Sequence, residues 1–256
     1  MDEHLYRAVR QRVVALMSLL EHENDEALAP TLELELRFGV LGDRGQFVAG
    51  LPTGLWYALF QHMCEAPSAR IESGFSMVER DEDAADVRIV HTSEHRRCVR
   101  ERKRPILAPV DLPLFGADED SSAVVRVAAS RETRLADNVC AHARPGDTPR
   151  HLMRYRERRG IHLVRDGVRS CWRFDFTRID RKAAYELELE LDLQHAQRQT
   201  AQLEPAARID AIMRQLASLI VSLRHALEHA DRTHRLNIAH IVAQREKAAA
   251  RFQQQL

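Results

Sequence analysis

Residues Tyr185–Leu193 read YELELELDL, with Glu186, Glu188 and Glu190 alternating with Leu187, Leu189 and Leu191. Thr31–Gly39 repeats the arrangement as TLELELRFG, setting Glu33, Glu35 and Arg37 against Leu32, Leu34, Leu36 and Phe38. In an extended chain residues i, i+2 and i+4 share a face, so each segment is predicted to be a strand with one ionised and one apolar face. One such strand suits the wet side of any antiparallel sheet. Two, each carrying Glu-x-Glu, demand more, because like charges side by side in a sheet repel unless a cation lies between them.

The remaining chain supplies cations. From Arg150 to Lys182 there are eleven Arg or Lys residues against four acids, although the 256-residue chain has a net charge of zero. That neutrality removes any bulk polyelectrolyte signal for nucleic acid and shifts attention to where the arginines fall. Lysine occurs only as Lys103, Lys182 and Lys247. Arginine presents a planar fork suited to phosphate oxygens. The length allows one well-buried domain, 1–256, and no linker obliges two. No apolar run approaches the length of a membrane span, and no secretory signal is visible. Cys64, Cys98, Cys140 and Cys171 are widely spaced without a Cys-x-x-Cys pair, which predicts free thiols in a reducing compartment.

Taken in order, the periodicity predicts a helix over 3–22, from Leu5, Val9, Val13, Leu16 and Leu20. A strand over 31–39 follows, then a hairpin loop at 42–45. A helix from Thr53 to about Cys64 carries Leu55, Leu59, Phe60 and Met63 on its apolar side. The region 76–86 reads as an acidic turn. Strands are expected at 86–91 and 98–106, a loop at 111–122, a strand at 123–132 and a loop at 136–149.

Residues 151–165 and 168–179 flank Asp166-Gly167, a two-residue hairpin signal. If Arg165 pairs with Val168, Arg158 faces Asp175 and Arg156 faces Thr177. Arg154, Arg156 and Arg158 then share a face with Arg173, Asp175 and Thr177, while Trp172, Phe174 and Phe176 take the other. Beyond Leu193 the chain is predicted to be helical, with a stripe of Ile209, Ile212, Met213, Leu216, Leu219, Ile220, Leu223 and Leu227 in a helical region over 205–252. His225 and His229 lie four apart there and read as surface histidines, since no third ligand is nearby.

At least four strands therefore have one ionic face, acidic on the first and last and basic on those between. Burying so many charges is costly unless they pair or bind ions. Curled with the ionic faces inward, such strands form a cavity with an acidic patch opposite basic walls, and helices cover the apolar outside. A hard divalent cation suits the carboxylates, and a polyphosphate suits the arginines.

In that order, Glu-x-Glu followed by Phe-Gly-Val-Leu, the Arg-rich strand, Trp-Arg-x-Asp-x-Thr and Tyr-Glu-x-Glu-x-Glu-Leu resemble the metal-dependent mRNA 5′-triphosphatases of cap formation. These belong to the triphosphate tunnel metalloenzymes and are known from fungi, protozoa and large DNA viruses. The resemblance runs from about Leu32 to Leu193. It implies an α+β fold: a closed antiparallel eight-stranded β tunnel with a charged interior, flanked by N- and C-terminal helices. It implies Mg2+ or Mn2+ held by Glu33, Glu35 and Glu190, with Glu132, Asp175, Glu186 and Glu188 organising water and basic side chains. Arg126, Arg154, Arg156, Arg158 and Arg173, with Arg88 and one of Arg102 or Lys103, would hold phosphates, and Arg37 and Thr177 would support them. Arg156 and Arg158 would steady the transferring group, and Glu132 or Glu188 would orient the attacking water. The family often has Arg-x-Lys-x-Arg where this chain has Arg154, Arg156 and Arg158.

The implied activity is hydrolysis of the γ-phosphate of triphosphate-ended RNA, in a nuclear monomer or homodimer that cooperates with a capping guanylyltransferase. Two alternatives stand beside it, the first implied by the same superfamily resemblance. One is a tunnel hydrolase of small triphosphates such as nucleoside triphosphate, tripolyphosphate or thiamine triphosphate. The other is a non-catalytic binder of polyphosphate or RNA, against which the acidic set argues, because a pure anion site gains nothing from carboxylates.

Overall fold

The structure is a computed structural model that describes residues 2–23, 31–65, 69–80, 87–92, 98–113, 123–135, 153–165, 167–179 and 184–231. Only the backbone is described for 74–80, 87–89, 91–92, 98–100, 123, 153–156, 165 and 228–231. Among the described residues, nine strands and four helices follow the order α1 (Glu3–Glu23), β1 (Leu32–Leu41), β2 (Phe47–Ala49), α2 (Thr53–Glu65), β3 (Ala69–Arg80), β4 (Val87–Thr92), β5 (Cys98–Pro113), β6 (Ala123–Leu135), β7 (Met153–Arg165), β8 (Val168–Ile179), β9 (Ala184–Leu191), α3 (Leu193–Thr200) and α4 (Pro205–Asp231). The strands make one antiparallel sheet in the order β2-β1-β6-β5-β4-β3-β7-β8-β9, and β9 pairs in addition with β1. Those last pairs set Glu35 opposite Glu190 and Arg37 opposite Glu188.

The alternation read from the sequence decides which side of the sheet is buried. Leu32, Leu34, Leu36 and Phe38 of β1, Val125 and Val127 of β6, Trp172, Phe174 and Phe176 of β8, and Leu187, Leu189 and Leu191 of β9 are all buried in one apolar cluster. Helices supply the other half: Leu5, Val9, Val13 and Leu16 of α1, Leu55, Trp56, Leu59 and Met63 of α2, and Ile212, Met213, Leu216 and Leu223 of α4. Each fully buried side chain of this size stabilises the fold by about 1.5–3 kcal/mol, so the sheet keeps its apolar face against the helices. Every charged residue of the two Glu-x-Glu strands is thereby held on the opposite face. Phe60 and Trp56 also pack edge-on against Phe176, with ring centroids 5.3 and 5.5 Å away, which ties α2 to β8.

Several expectations need correction. Residues 76–80 of the expected acidic turn at 76–86 belong instead to strand β3, where pairing with β4 and β7 overrides the local polar signal, and 81–86 lie outside the described residues. Strand β5 continues past 106 to Pro113, through register shifts at Pro105/Leu107 and Leu107/Val110 that break its two-residue period, so 111–113 of the expected loop at 111–122 are strand and 114–122 lie outside the described residues. A short β2 follows the 42–45 turn, where Gly45 takes a positive φ of 71°. The expected loop at 136–149 and the helical region beyond 231 lie outside the described residues.

The β7–β8 hairpin starts as expected, with Arg165 opposite Val168 and Val164 opposite Arg169, but the register then shifts. His162 pairs with Arg173, Gly160 with Asp175, Arg158 with Thr177 and Arg156 with Ile179. Strand β8 thus places three residues, 170–172, against Leu163 alone, a bulge of two extra residues. Asp175 is therefore not opposite Arg158, and Thr177 is not opposite Arg156. A shift of two preserves the face of every side chain, so the predicted sharing of faces holds.

Candidate functional site

On the ionic face of β1, Glu33, Glu35 and Arg37 stand opposite Ser130, Ala128 and Arg126 of β6. Lys103 of β5 pairs with Glu132 of β6. Its Nζ lies 2.6 Å from Glu33 Oε2, 3.3 Å from Glu35 Oε1 and 3.8 Å from Glu132 Oε1, so one ammonium serves three carboxylates. Burial works against that ammonium, but Glu35 and Glu33 outweigh it and hold its pKa above the ordinary lysine value. Strand alternation decides between the two basic candidates here. Arg102, opposite Thr133 and Val87, belongs to the other face of β5 and is corrected out of the phosphate set.

A second cluster joins β8 and β9. The Arg173 fork donates to both Asp175 oxygens, at 2.8 Å each, and its Nη2 donates to Glu190 Oε2 at 2.7 Å. Asp175 is fully buried, an expensive place for a carboxylate without this bidentate partner. Arg37 bridges the clusters, with Nε 2.8 Å from Glu188 Oε1 and Nη2 3.2 Å from Glu35 Oε2. The guanidinium of Arg37, like that of Arg173, is held more strongly protonated than usual, because the surrounding carboxylates outweigh its burial.

Glu190 shows the opposite shift. Burial first, then the negative charges of Asp175 and Glu33, outweigh Arg173 and push its carboxyl up to about 8.

The Arg158 side chain is 53% exposed, and its Nη1 reaches Asp175 Oδ2 only at 3.5 Å. Arg126 is locked to Asp111 by two bonds of 2.7 and 2.8 Å and lies 4.4 Å over the Phe47 ring, a cation–π contact. Thr177 and Glu186 are buried opposite one another, and the Glu186 carbonyl accepts from Trp56 Nε1 at 3.0 Å. The side chains of Arg88, Arg154 and Arg156 lie outside the described ones. The backbone places Arg88 opposite Arg80 and Glu101, and Arg154 and Arg156 opposite Val78 and Ser76.

Three participants escaped the sequence reading. Asp111 falls in the bulged extension of β5, where alternation is lost, and Phe47 sits in a three-residue strand. Gly160 carried a usable signal, since glycine inside a strand marks a close approach. A Cβ there would lie 3.0 Å from Arg173 Cδ and 3.1 Å from Asp175 Oδ1, so the missing side chain makes room for their ion pair.

The donor chemistry fits a hard divalent cation. Glu33, Glu35 and Glu190 offer carboxylate oxygens on one face of adjacent strands, and an ammonium already bridges two of them. Among the described residues no three His, Cys, Asp or Glu side chains are gathered into a ready-made cage, because Lys103 and Arg173 engage the carboxylates instead. A cavity of about 230 Å³ opens beside Glu33, Arg173 and Glu190, bounded by Leu32 and the turn into α3.

No family model matches the chain, and no curated protein matches it in sequence. Among solved structures, it is similar to the S. pombe RNA triphosphatase Pct1, with 15% identity, 84% of this chain and 91% of that chain covered, and a TM-score of 0.55. The same enzyme in complex with the Spt5 CTD gives 15% identity, 83% and 91% coverage and a TM-score of 0.54. The RNA triphosphatase domain of the mimivirus mRNA capping enzyme gives 11% identity, 89% and 99% coverage and a TM-score of 0.45. The chain thus shares the fold of the S. pombe RNA triphosphatase.

Proposed function

We propose that this chain is a metal-dependent RNA 5′-triphosphatase, removing the γ-phosphate of triphosphate-ended RNA in the first step of cap formation. The observation that carries the reading is the continuous ionic face linking Glu33, Glu35 and Glu190 to Lys103, Arg37 and Arg173, on a fold shared with an RNA triphosphatase. Circular pairing of β1 with both β6 and β9 supports a closed eight-stranded tunnel, with β2 as an appendage and the ionic face inside.

In this reading 1–256 is one domain. Glu33, Glu35 and Glu190 hold Mg2+ or Mn2+, which when bound supplies neutralising charge to the γ-phosphate oxygens. Arg158, exposed and only weakly engaged, takes a phosphate oxygen together with Arg154 and Arg156, and Arg88 extends this basic wall. Arg126 and Arg173 are held by carboxylates and act as fixed charges that need no reorganisation when substrate arrives. Lys103, which neutralises Glu33 and Glu35, would be released to hold phosphate where a bound cation supplied that neutralising charge. Asp175 keeps Arg173 in place, and Glu186, Thr177 and Arg37 fix the neighbouring strands. Glu132 or Glu188 orients the attacking water, each carboxylate being within reach of a cation that holds it steady. The role implies a nuclear protein that hands its diphosphate product to a guanylyltransferase, and a protein partner analogous to the Spt5 CTD of the S. pombe enzyme.

The test is γ-phosphate release from triphosphate-ended RNA with Mg2+, Mn2+ or chelator, with ATP and tripolyphosphate in parallel. Metal-dependent release from RNA, abolished in Glu33→Ala, Glu35→Ala and Glu190→Ala, is expected. Hydrolysis of tripolyphosphate alone would keep the tunnel chemistry and reject the capping role. No hydrolysis of any substrate would leave a binding protein.

A further inference from the structure

The bulge in β8 has a keeper that belongs to none of the roles above. A two-residue connection at 166–167 sets Arg165 opposite Val168, and a regular ladder from there would bring Arg158 opposite Asp175. The observed ladder is offset by two residues. Hydrophobic patterning does not choose between these registers, because a slip of two leaves Trp172, Phe174 and Phe176 on the same face. What differs is the hydrogen bonding of 170–172. The buried Cys171 N–H donates not to β7 but to Gln215 Oε1 of α4, at 2.9 Å. The Ser170 hydroxyl donates to the same oxygen at 3.2 Å and accepts from Trp172 N–H at 3.1 Å. The Cys171 carbonyl accepts from Asp192 N–H at 2.8 Å.

Gln215 is itself held. Its Nε2 donates to Gln199 Oε1 of α3 at 2.9 Å, and one turn earlier on α4 the Ile212 carbonyl accepts from Trp172 Nε1 at 3.1 Å. Helix α3 is fixed to the same strand, since the Arg169 carbonyl is within 3.1 Å of His195 Nε2. The carboxylate of Asp192 caps α3 through His195 N–H and pairs with Arg169. The two helices thus grip the bulge from its outer side, with Gln215 as the only side chain among the described residues that accepts from the displaced Cys171 N–H.

We infer that Gln215 is a positioning residue: by accepting from Cys171 N–H it holds β8 in the offset register. That register keeps Arg158 opposite Thr177, with its guanidinium available to a phosphate, instead of opposite Asp175. The inference rests on the proposed phosphate role of Arg158. In the observed register Asp175 gives both oxygens to Arg173 and touches Arg158 only diagonally at 3.5 Å. Directly opposite Asp175, Arg158 would become a structural ion pair and the basic wall would lose a weakly engaged charge.

The experiment compares Gln215→Ala with Gln215→Glu, which keeps an acceptor for Cys171 N–H, in the full chain. Two readouts are taken: NMR of amide exchange and cross-strand amide contacts in β8, and tripolyphosphate affinity in the presence of chelator, where no turnover occurs. Removing the acceptor of the Cys171 N–H is expected to speed Cys171 amide exchange about tenfold or more. The contact between Arg158 and Thr177 weakens, and tripolyphosphate affinity falls about tenfold for loss of one charge-assisted contact. Gln215→Glu is expected to restore all three. Unchanged exchange and contacts in Gln215→Ala would overturn the inference, as would a changed register with unchanged affinity. A wild-type protein that binds no tripolyphosphate would instead sink the functional reading, while the exchange and contact data still decide whether Gln215 holds the register.

Discussion

The raised carboxyl of Glu190 makes the proposed metal site a pH meter. Its carboxyl sits at about 8 because burial, Asp175 and Glu33 together outweigh Arg173. A metal ligand must be deprotonated, so binding through Glu190 expels a proton wherever the free protein still holds it. At pH 6, two units below that value, about one molecule in a hundred carries the carboxylate, which weakens metal binding about a hundredfold, or roughly 2.7 kcal/mol. Calorimetric titration of Mn2+ between pH 6 and 9, in buffers of different ionisation heat, reads affinity and proton release together. Affinity is expected to rise about tenfold per pH unit up to about 8 and then level. About one proton should leave per metal at pH 6, half a proton near pH 8 and almost none at pH 9.

The metal-free fold responds with its own sign. A carboxyl whose folded value lies above its unfolded one binds more protons when folded, so this contribution to stability is present in acid and is lost as pH rises from about 4.5 towards 8. Glu190→Gln should flatten both curves. Mn2+ affinity independent of pH from 6 to 9 in the wild type, with no proton released, would refute the reasoning.

Three further substitutions probe the supports of the site. Gly160→Ala puts a methyl 3.0–3.1 Å from Arg173 Cδ and Asp175 Oδ1; it should cost about 1–3 kcal/mol in urea unfolding and lower phosphate affinity, whereas unchanged stability would mean the pair moves freely. Asp175→Asn leaves Arg173 without its bidentate carboxylate and should cost about 3–5 kcal/mol, read as a thermal midpoint lower by roughly 6–20 °C. It should also draw the Glu190 carboxyl downward, visible as a shift of the proton-release window towards acid. Lys103→Met removes the ammonium competing for Glu33 and Glu35, so Mn2+ should bind about tenfold tighter while tripolyphosphate binds more weakly; weaker Mn2+ binding would show that Lys103 supports the metal site instead of competing with it.

What the sequence made legible was faces. Strict alternation in 32–38 and 186–191 forces Glu33, Glu35, Glu186, Glu188 and Glu190 to one side, and the opposing leucines are all buried. The helical stripe from Ile212 to Leu223 packs on the same core because its period matches its fold. Strand β5 was legible only to its first bulge. Each shift at Pro105/Leu107 and Leu107/Val110 resets the phase, so the partnership of Asp111 with Arg126 could not be read by counting. Lys103 and Arg102 are adjacent in a run of charges that reveals no phase, and only pairing with β6 assigns Lys103 to the ionic side.

Register is the harder quantity, and here it decides chemistry. A slip of one residue would turn Trp172, Phe174 and Phe176 away from the helices, so burial forbids it. A slip of two satisfies burial equally well and changes only which polar groups meet. The core energy that dominates the fold is therefore indifferent to whether Arg158 faces Asp175 or Thr177, and hydrogen bonds worth about 1 kcal/mol each make the choice. Those bonds come from Gln215, Ser170 and Asp192, which are separated in sequence and carry no pattern of their own. A guanidinium offered to substrate instead of neutralised by its neighbour is thus set by residues on the far side of the sheet, where only three-dimensional packing brings them together.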